Sequence, residues 1–335
     1  MLDESQKLLA VPPASGNGKD AISCFPEFSD LILHEQNPGS GLFFCDAEPY
    51  ALEECMLPMA NELVQAGIKK GTVDFATMSH GIPFRGHKMP TINGVFYVFR
   101  RMPEKIWTLD ECGIRGRIAD YILDQRHVKG GLIIVSGRPG AGKSTTCAAI
   151  IVDRLKKFGG MCVTVEDPVE MPLQGFHGAG LCFQRNLLGE QEFHAAVRET
   201  MRAYPSQTNS TMLIGEVRDA ETAALALRSS VDGRLVLLTI HAGTIIQAIQ
   251  RIISYASRVM GESEARALLA SSIRLVMHQK KMDNRIRVTT LFDTQPVAGI
   301  IMTKEASLDN LKNEIQNQMN KLRLGMEIKP RNLED

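Results

Sequence analysis

An apolar run, Leu132-Ile133-Ile134-Val135-Ser136, passes without interruption into Gly137-Arg138-Pro139-Gly140-Ala141-Gly142-Lys143-Ser144, and Thr145-Thr146-Cys147-Ala148-Ala149-Ile150 continues as a helix. No other segment narrows the possible folds so far. A strand apolar on both faces has to be covered on both, which calls for a mostly parallel sheet between layers of helix. Glycines let the backbone of the turn curl until its N–H groups converge on phosphate oxygens, and the helix start adds a positive dipole end. Strand, glycine turn and helix in that order form the context in which Gly-x-x-x-x-Gly-Lys-Ser acts as a phosphate cradle. The candidate nucleotide-binding stretch is therefore Gly137, Arg138, Pro139, Gly140, Ala141, Gly142, Lys143, Ser144 and Thr145. Lys143 would reach the β- and γ-phosphates as a point charge, and the Ser144 hydroxyl would complete a Mg²⁺ shell.

Further apolar runs at 161–165, 211–214 and Leu235–Ile240 predict more strands of the same sheet. Ligands of open α/β sheets collect at the carboxyl ends of the strands, and each of these runs delivers a reactive side chain there. Glu166 follows the first, with Pro168 turning the chain away. Glu216 follows the second, where a carboxylate would lie near Mg²⁺ and the attacking water. His241 ends the third and is a candidate contact for the γ-phosphate. Spacing also predicts helices over 143–157, over 262–279 with Ala265, Leu268, Leu269 and Val276 on one side, and over 307–324 with Gly325 as its stop. Arg285–Phe292 alternates like a half-exposed strand.

The front of the chain has a different rhythm. Residues 1–20, with Pro12-Pro13 and Ser15-Gly16-Asn17-Gly18, read as a flexible tail. Between 21 and 103, short apolar runs alternate with turn signals. Strands are expected at 31–33, 41–45, 73–75 and 94–100, with helical spacing over 50–67, which makes a small α+β domain. Residues 104–112 would link it to an α/β domain over 113–335. Lys+Arg and Asp+Glu are both 38, so the basic excess of a nucleic-acid binder is missing. The seven cysteines are an odd number with no Cys-x-x-Cys pair, against a disulfide framework or a structural zinc site. No signal peptide opens the chain and no apolar run approaches the length of a spanning helix, so a cytoplasmic protein is expected, with peripheral membrane attachment open.

Taken in order, Gly137–Ser144, Thr164-Val-Glu-Asp-Pro-Val-Glu170, Leu213-Ile-Gly-Glu-Val-Arg-Asp219 and Leu238-Thr-Ile-His241 resemble the hexameric secretion ATPases, which include the type II and type IV secretion, conjugation and pilus motors. The last three match that family's Asp, Walker B and His boxes. Ser29-Asp30-Leu31-Ile32-Leu33, Val73-Asp74-Phe75, Phe84-Arg85 and Phe99-Arg100-Arg101-Met102-Pro103 are similar to its N-terminal landmarks, and Phe193, Arg198, Arg202 and Pro205 to its residues before Walker B. The resemblance implies a RecA-like P-loop motor domain, a PAS-like N-terminal domain, a homo-oligomeric ring of six, and ATP with Mg²⁺ between the two domains. Lys143, Glu216, Glu166 and His241 would be catalytic, with Ser144 and Glu216 serving the metal. Arg85, Arg100 and Arg101 would neutralise phosphate charge, and Arg218 and Arg228 would face a neighbouring subunit. The implied partner is an inner-membrane secretion or pilus assembly complex. The four-cysteine module of the type II branch is missing, and Gln295-Pro-Val-Ala-Gly-Ile-Ile301 does not fit the Ala-Ile-Arg-Asn-Leu-Ile segment of pilus retraction motors. Elimination leaves the conjugation and type IVB secretion branch nearest. A RecA-like nucleic-acid motor and a nucleotide-switched assembly factor without turnover stay open beside it.

Overall fold

The computed structural model describes residues 25–45, 48–103, 105–187, 193–282 and 285–331; the tail expected over 1–20 lies outside them. Two compact units divide the chain. One is built on residues up to Lys105 together with Pro168–Pro172 and Asn186–Glu190, the other on Ile106–Asp167, Leu173–Arg185 and the chain from Gln191.

In the first unit β1 (Asp30–His34), β2 (Leu42–Cys45), β3 (Glu48–Ala51), α1 (Leu57–Lys70), β4 (Asp74–Ser79), β5 (Ile82–Thr91) and β6 (Gly94–Arg101) follow one another. The strands form one sheet in the order β3-β2-β1-β6-β5-β4, and each strand runs antiparallel to its neighbour. Met59, Ala60, Leu63 and Val64 form the apolar stripe of α1 and share a core with Leu31, Leu33, Phe75, Tyr97 and Phe99. The helix expected over 50–67 starts later than its spacing suggests. Tyr50 belongs to β3, and Pro58, in the first turn, supplies the preset φ that opens α1.

The second unit runs α2 (Arg117–Ile122), β7 (Gly131–Gly137), α3 (Lys143–Phe158), β8 (Gly160–Glu166), β9 (Gly175–His177), β10 (Gly180–Asn186), α4 (Phe193–Thr200), β11 (Ser210–Ile214), α5 (Ala220–Val231), β12 (Leu235–Ile240), α6 (Ile245–Met260), α7 (Glu262–Ser272), β13 (Ile273–Met282), β14 (Arg285–Phe292), α8 (Gln295–Met302) and α9 (Leu311–Arg323). Its sheet has the order β14-β13-β7-β12-β11-β8-β10-β9. The five strands β13, β7, β12, β11 and β8 pair in parallel, while β14 and β9 join antiparallel. Every residue of β7 and of β12 is buried, as strands covered on both faces require. This is the α/β, RecA-like arrangement expected of the motor domain. The chain folds β12 between the strand that feeds the glycine turn and the strand that ends before Glu216, and the site is built on that order.

Two expected helices end differently. The one expected over 262–279 stops at Ser272, and Ile273 opens β13. Leu275, Val276 and Met277 are fully buried there beside β7; in so short a run a covered strand has the same apolar pattern as a helix face. At the C-terminal end α9 begins at Leu311 after a short 3-10 turn, and Gly325, at φ 67°, stops it as expected. Leu308 and Leu311 are buried as the stripe demands, but Gln318 takes the next inward place. Its amide accepts from Phe292 N at 2.8 Å and donates to Phe292 O at 3.2 Å, a substitute for a missing strand neighbour.

Candidate active site

The turn between β7 and α3 has the shape its glycines allow. Gly140 and Gly142 stand at φ 74° and 84°, where a side chain would be strained, and a Cβ on Gly142 would come within 2.8 Å of Ile286 Cδ1. Gly142 is also the N-cap of the 16-residue α3, so no side chain intervenes between the turn and the positive end of that helix. Arg138, Pro139 and Gly140 are exposed, while Ala141 is buried beneath them; Ser144 and Thr145 sit half-buried in the first turn of α3. Lys143 is 8% exposed, and its Nζ arches back to within 3.2 Å of Gly137 O and 3.3 Å of Arg138 O. The turn fits a phosphate chain: a glycine-bent backbone, one ammonium and one hydroxyl on a helix start.

Because β12 lies between β7 and β11, the residue at its tip falls between Lys143 and Glu216. His241 Nδ1 is 3.3 Å from Lys143 Nζ, and its Nε2 is 3.2 Å from Glu216 Oε1. An ammonium only donates, so Nδ1 accepts, the ring proton is on Nε2, and Nε2 donates to the carboxylate. Glu216 Oε2 in turn accepts from Arg218 Nε at 2.9 Å and from its Nη2 at 2.7 Å. Thr239 donates to the carbonyl of Gly215, which ties the two strand tips together, and Arg251 of α6 donates to that of His241. Lys143, His241 and Glu216 form one line of polar contacts.

Glu166 ends β8, one strand beyond Glu216, and is 6% exposed. Its Oε1 accepts from Thr164 Oγ1 at 2.6 Å and Gln184 Nε2 at 3.1 Å, bonds to a charged acceptor worth about 1.5–3 kcal/mol each. Gln184 is itself oriented, since its Oε1 takes the N–H groups of Leu173 and Gln174 at 2.6 and 2.8 Å. Gly215 lets Glu166 lie against β11: a Cβ there would stand 3.2 Å from Glu166 Cγ. Both Glu166 and Lys143 act on Cys147, one turn into α3. Burial first, then the Glu166 charge, push that thiol up to about 12, with Lys143 pulling the other way. Neither Thr164 nor Gln184 figures among the residues expected from sequence. Thr164 is legible in principle, two residues before Glu166 on the same strand face, whereas Gln184 arrives through strand pairing.

The arginines of the first unit do not share one face. Arg85 and Arg100 are directly opposite each other on β5 and β6, and Arg100 faces Asp30 across β1. On that outer face Arg100 Nε donates to Asp30 at 2.9 Å and Arg85 lies 3.7 Å from Glu170. Arg101 points to the other side, its guanidinium 5.4 Å from the centre of the buried Phe28 ring.

With that geometry in place, comparison with known proteins gives a consistent result. A family model described as "Type II/IV secretion system protein" matches residues 68–316, more than half of the chain. The type IV pilus ATPase PilU of Pseudomonas aeruginosa is 33% identical over 62% of this chain and 52% of its own length. Of solved structures, the pilus retraction motor PilT with bound ADP aligns over 90% of this chain and 91% of that one, at 25% identity and a TM-score of 0.68. The Legionella pneumophila ATPase DotB aligns over 88% of this chain and 84% of its own, at 18% identity and a TM-score of 0.64, a likeness of fold. The chain thus spans about half the length of the pilus ATPase it matches. These likenesses bear out the superfamily read from the boxes, with DotB among its structural neighbours, the RecA-like fold, and the class of ATP-hydrolysing, nucleotide-binding enzyme. Among the described residues no helix is long and apolar enough to cross a membrane.

Proposed function

Since the chain belongs to the type II/IV secretion system protein family, we propose that it is a ring-forming motor. It would couple hydrolysis of MgATP to domain motion that powers a type IV secretion, conjugation or type IV pilus machine. It would work as a hexamer on the cytoplasmic side, held at the inner membrane by that machine's assembly complex. The observation that carries this reading is the line Lys143–His241–Glu216, from the start of α3 to the tips of β12 and β11.

The residues divide the work by their chemistry. Lys143 and the glycine-bent amides neutralise and orient the phosphates, and the α3 dipole adds to them. Ser144 and Glu216 would hold Mg²⁺, which supplies charge neutralisation on the phosphate oxygens. Glu216 orients the attacking water. Glu166, held by Thr164 and Gln184, is a second carboxylate one strand away and the candidate base. His241 bonds Lys143 on one side and Glu216 on the other, so a change at the lysine is felt at the glutamate through two hydrogen bonds. Arg85 and Arg100, side by side on one face, are better placed to act together on an anion than Arg101, which lies over Phe28.

The test is a pair of variants of the full chain. Lys143→Ala should abolish binding of a labelled ATP analogue, while Glu216→Gln should retain binding and lose roughly 10²–10⁴-fold in turnover. Turnover of the Glu216→Gln variant at the normal rate removes the glutamate from the mechanism. Wild-type protein that binds ATP without turning it over is the nucleotide-switched assembly factor instead. Turnover stimulated by DNA and lost with added salt would mark a nucleic-acid motor.

A further inference from the structure

We propose that Arg218 is a positioning residue that restrains Glu216, so that the carboxylate can orient water only when the guanidinium lets go. The inference rests on the role given to Glu216 above and deepens it. Both N–H donors of the Arg218 fork, Nε at 2.9 Å and Nη2 at 2.7 Å, converge on the single oxygen Oε2. The other oxygen accepts from His241 Nε2 at 3.2 Å. An ionised carboxylate has about four lone-pair sites, and three of them are taken. A water molecule aimed at Oε2 has to compete with a charge-assisted fork.

The backbone is braced for this contact. Val217 N donates to Thr239 O at 3.0 Å, tying the segment to β12. Asp219 caps α5 by accepting from Thr222 N and Oγ1 at 2.8 and 2.7 Å. Arg218, held between these two anchors, turns back onto the residue two positions before it rather than out along α5. The restraint is also built to yield. The Arg218 side chain is 63% exposed while that of Glu216 is 20% exposed, and a pair open to water on one side contributes little. Any stronger anion presented to the guanidinium from solvent can draw it away without disturbing the buried side of the site.

Steady-state ATP hydrolysis by the full chain tests the idea, with Arg218→Ala, Arg218→Lys, Glu216→Gln and the Glu216→Gln/Arg218→Ala double variant. Removing the fork should raise kcat about two- to fivefold, the factor an exposed pair is worth, with KM for ATP unchanged within about twofold. Lysine offers a point charge and no fork, so Arg218→Lys should fall between. The double variant should be no faster than Glu216→Gln, because the gain acts through the glutamate. A lower or unchanged kcat in Arg218→Ala, or a change in KM alone, overturns the restraint while leaving Glu216 in place. Wild-type turnover by Glu216→Gln instead overturns the assignment of the glutamate itself, whatever Arg218 does.

Discussion

Acid should loosen the second unit through one histidine. His127 lies in the short 3-10 helix over Gln125–Lys129 that leads into β7, and it is 1% exposed. Its Nε2 is 2.8 Å from the Tyr121 carbonyl, so the neutral ring donates there and carries no proton on Nδ1. Burial first, and then the neighbouring Arg154 guanidinium, hold its pKa down at about 3 against an ordinary 6.5. Between these two values the unfolded chain takes a proton that the folded chain refuses. Stability from this group is therefore complete above about pH 6.5 and is lost as the pH falls toward 3. Each unit is about 1.4 kcal/mol, so near pH 4.5 the loss is about 3 kcal/mol, a large part of an ordinary domain's margin. His127→Gln keeps an N–H for the Tyr121 carbonyl and removes the titration. At neutral pH the variant should be less stable by about 2 kcal/mol, because the ring and its edge contact with Tyr121 at 4.8 Å are lost. Near pH 4.5 the order should reverse, the gap having moved by about 3 kcal/mol. Hydrogen exchange of peptides covering β7, in the full chain at both pH values, reads this difference. His278, whose pKa burial also lowers, titrates in both proteins and cancels. A gap of the same size at both pH values would falsify the account.

Two further outcomes depend on single side chains. Gln184→Leu removes one of the donors that hold Glu166 and leaves the phosphate turn alone; kcat should fall about tenfold with affinity for an ATP analogue unchanged, and weaker analogue binding would contradict that division of labour. Arg331→Ala leaves Asp293, 1% exposed, with Arg274 at 3.5 Å as its ion-pair partner among the described residues in place of one at 2.6 Å; stability in urea should fall by about 3 kcal/mol, and a change below about 0.5 kcal/mol would show that the pair is not a lock.

The parts most legible in the sequence are those fixed by local constraints. Leu235–Ile240 is read with its own bounds, and Gly137–Ser144 gives itself away because an apolar run, glycines at fixed offsets and a helix start coincide. β5 escapes because Pro83, Gly86 and Pro90 break its pattern, yet antiparallel partners on both sides hold all ten residues in line. The joint between α7 and β13 escapes because apolar residues at 268, 269 and 276 satisfy either period, and only the place beside β7 decides between them. In the site, Lys143 opens α3 and Glu216 and His241 stand at strand ends, and each can be suspected singly. Their alignment depends on β12 lying between β7 and β11, a matter of sheet order that no spacing in the sequence encodes. Arg218 is visible as part of a motif, but its fork on Glu216 depends on how the chain turns into α5.

The grouping of Pro168–Pro172 with the first unit has a consequence for how the chain is made. Val169 and Met171 within that stretch are buried, and Glu170 lies 3.7 Å from Arg85. A ribosome adds about 5–20 residues each second. The sheet of the first unit therefore leaves the exit tunnel seconds before Pro168–Pro172, and by then β7, α3 and β8 have been synthesised as well. An early nascent chain has the six strands but not their last neighbours, and it has the phosphate turn before it has Glu216 or His241. Chaperones would meet the first unit before Pro168–Pro172 joins it, and a shortened gene ending at residue 105 would yield the six strands and the α1 core without that stretch.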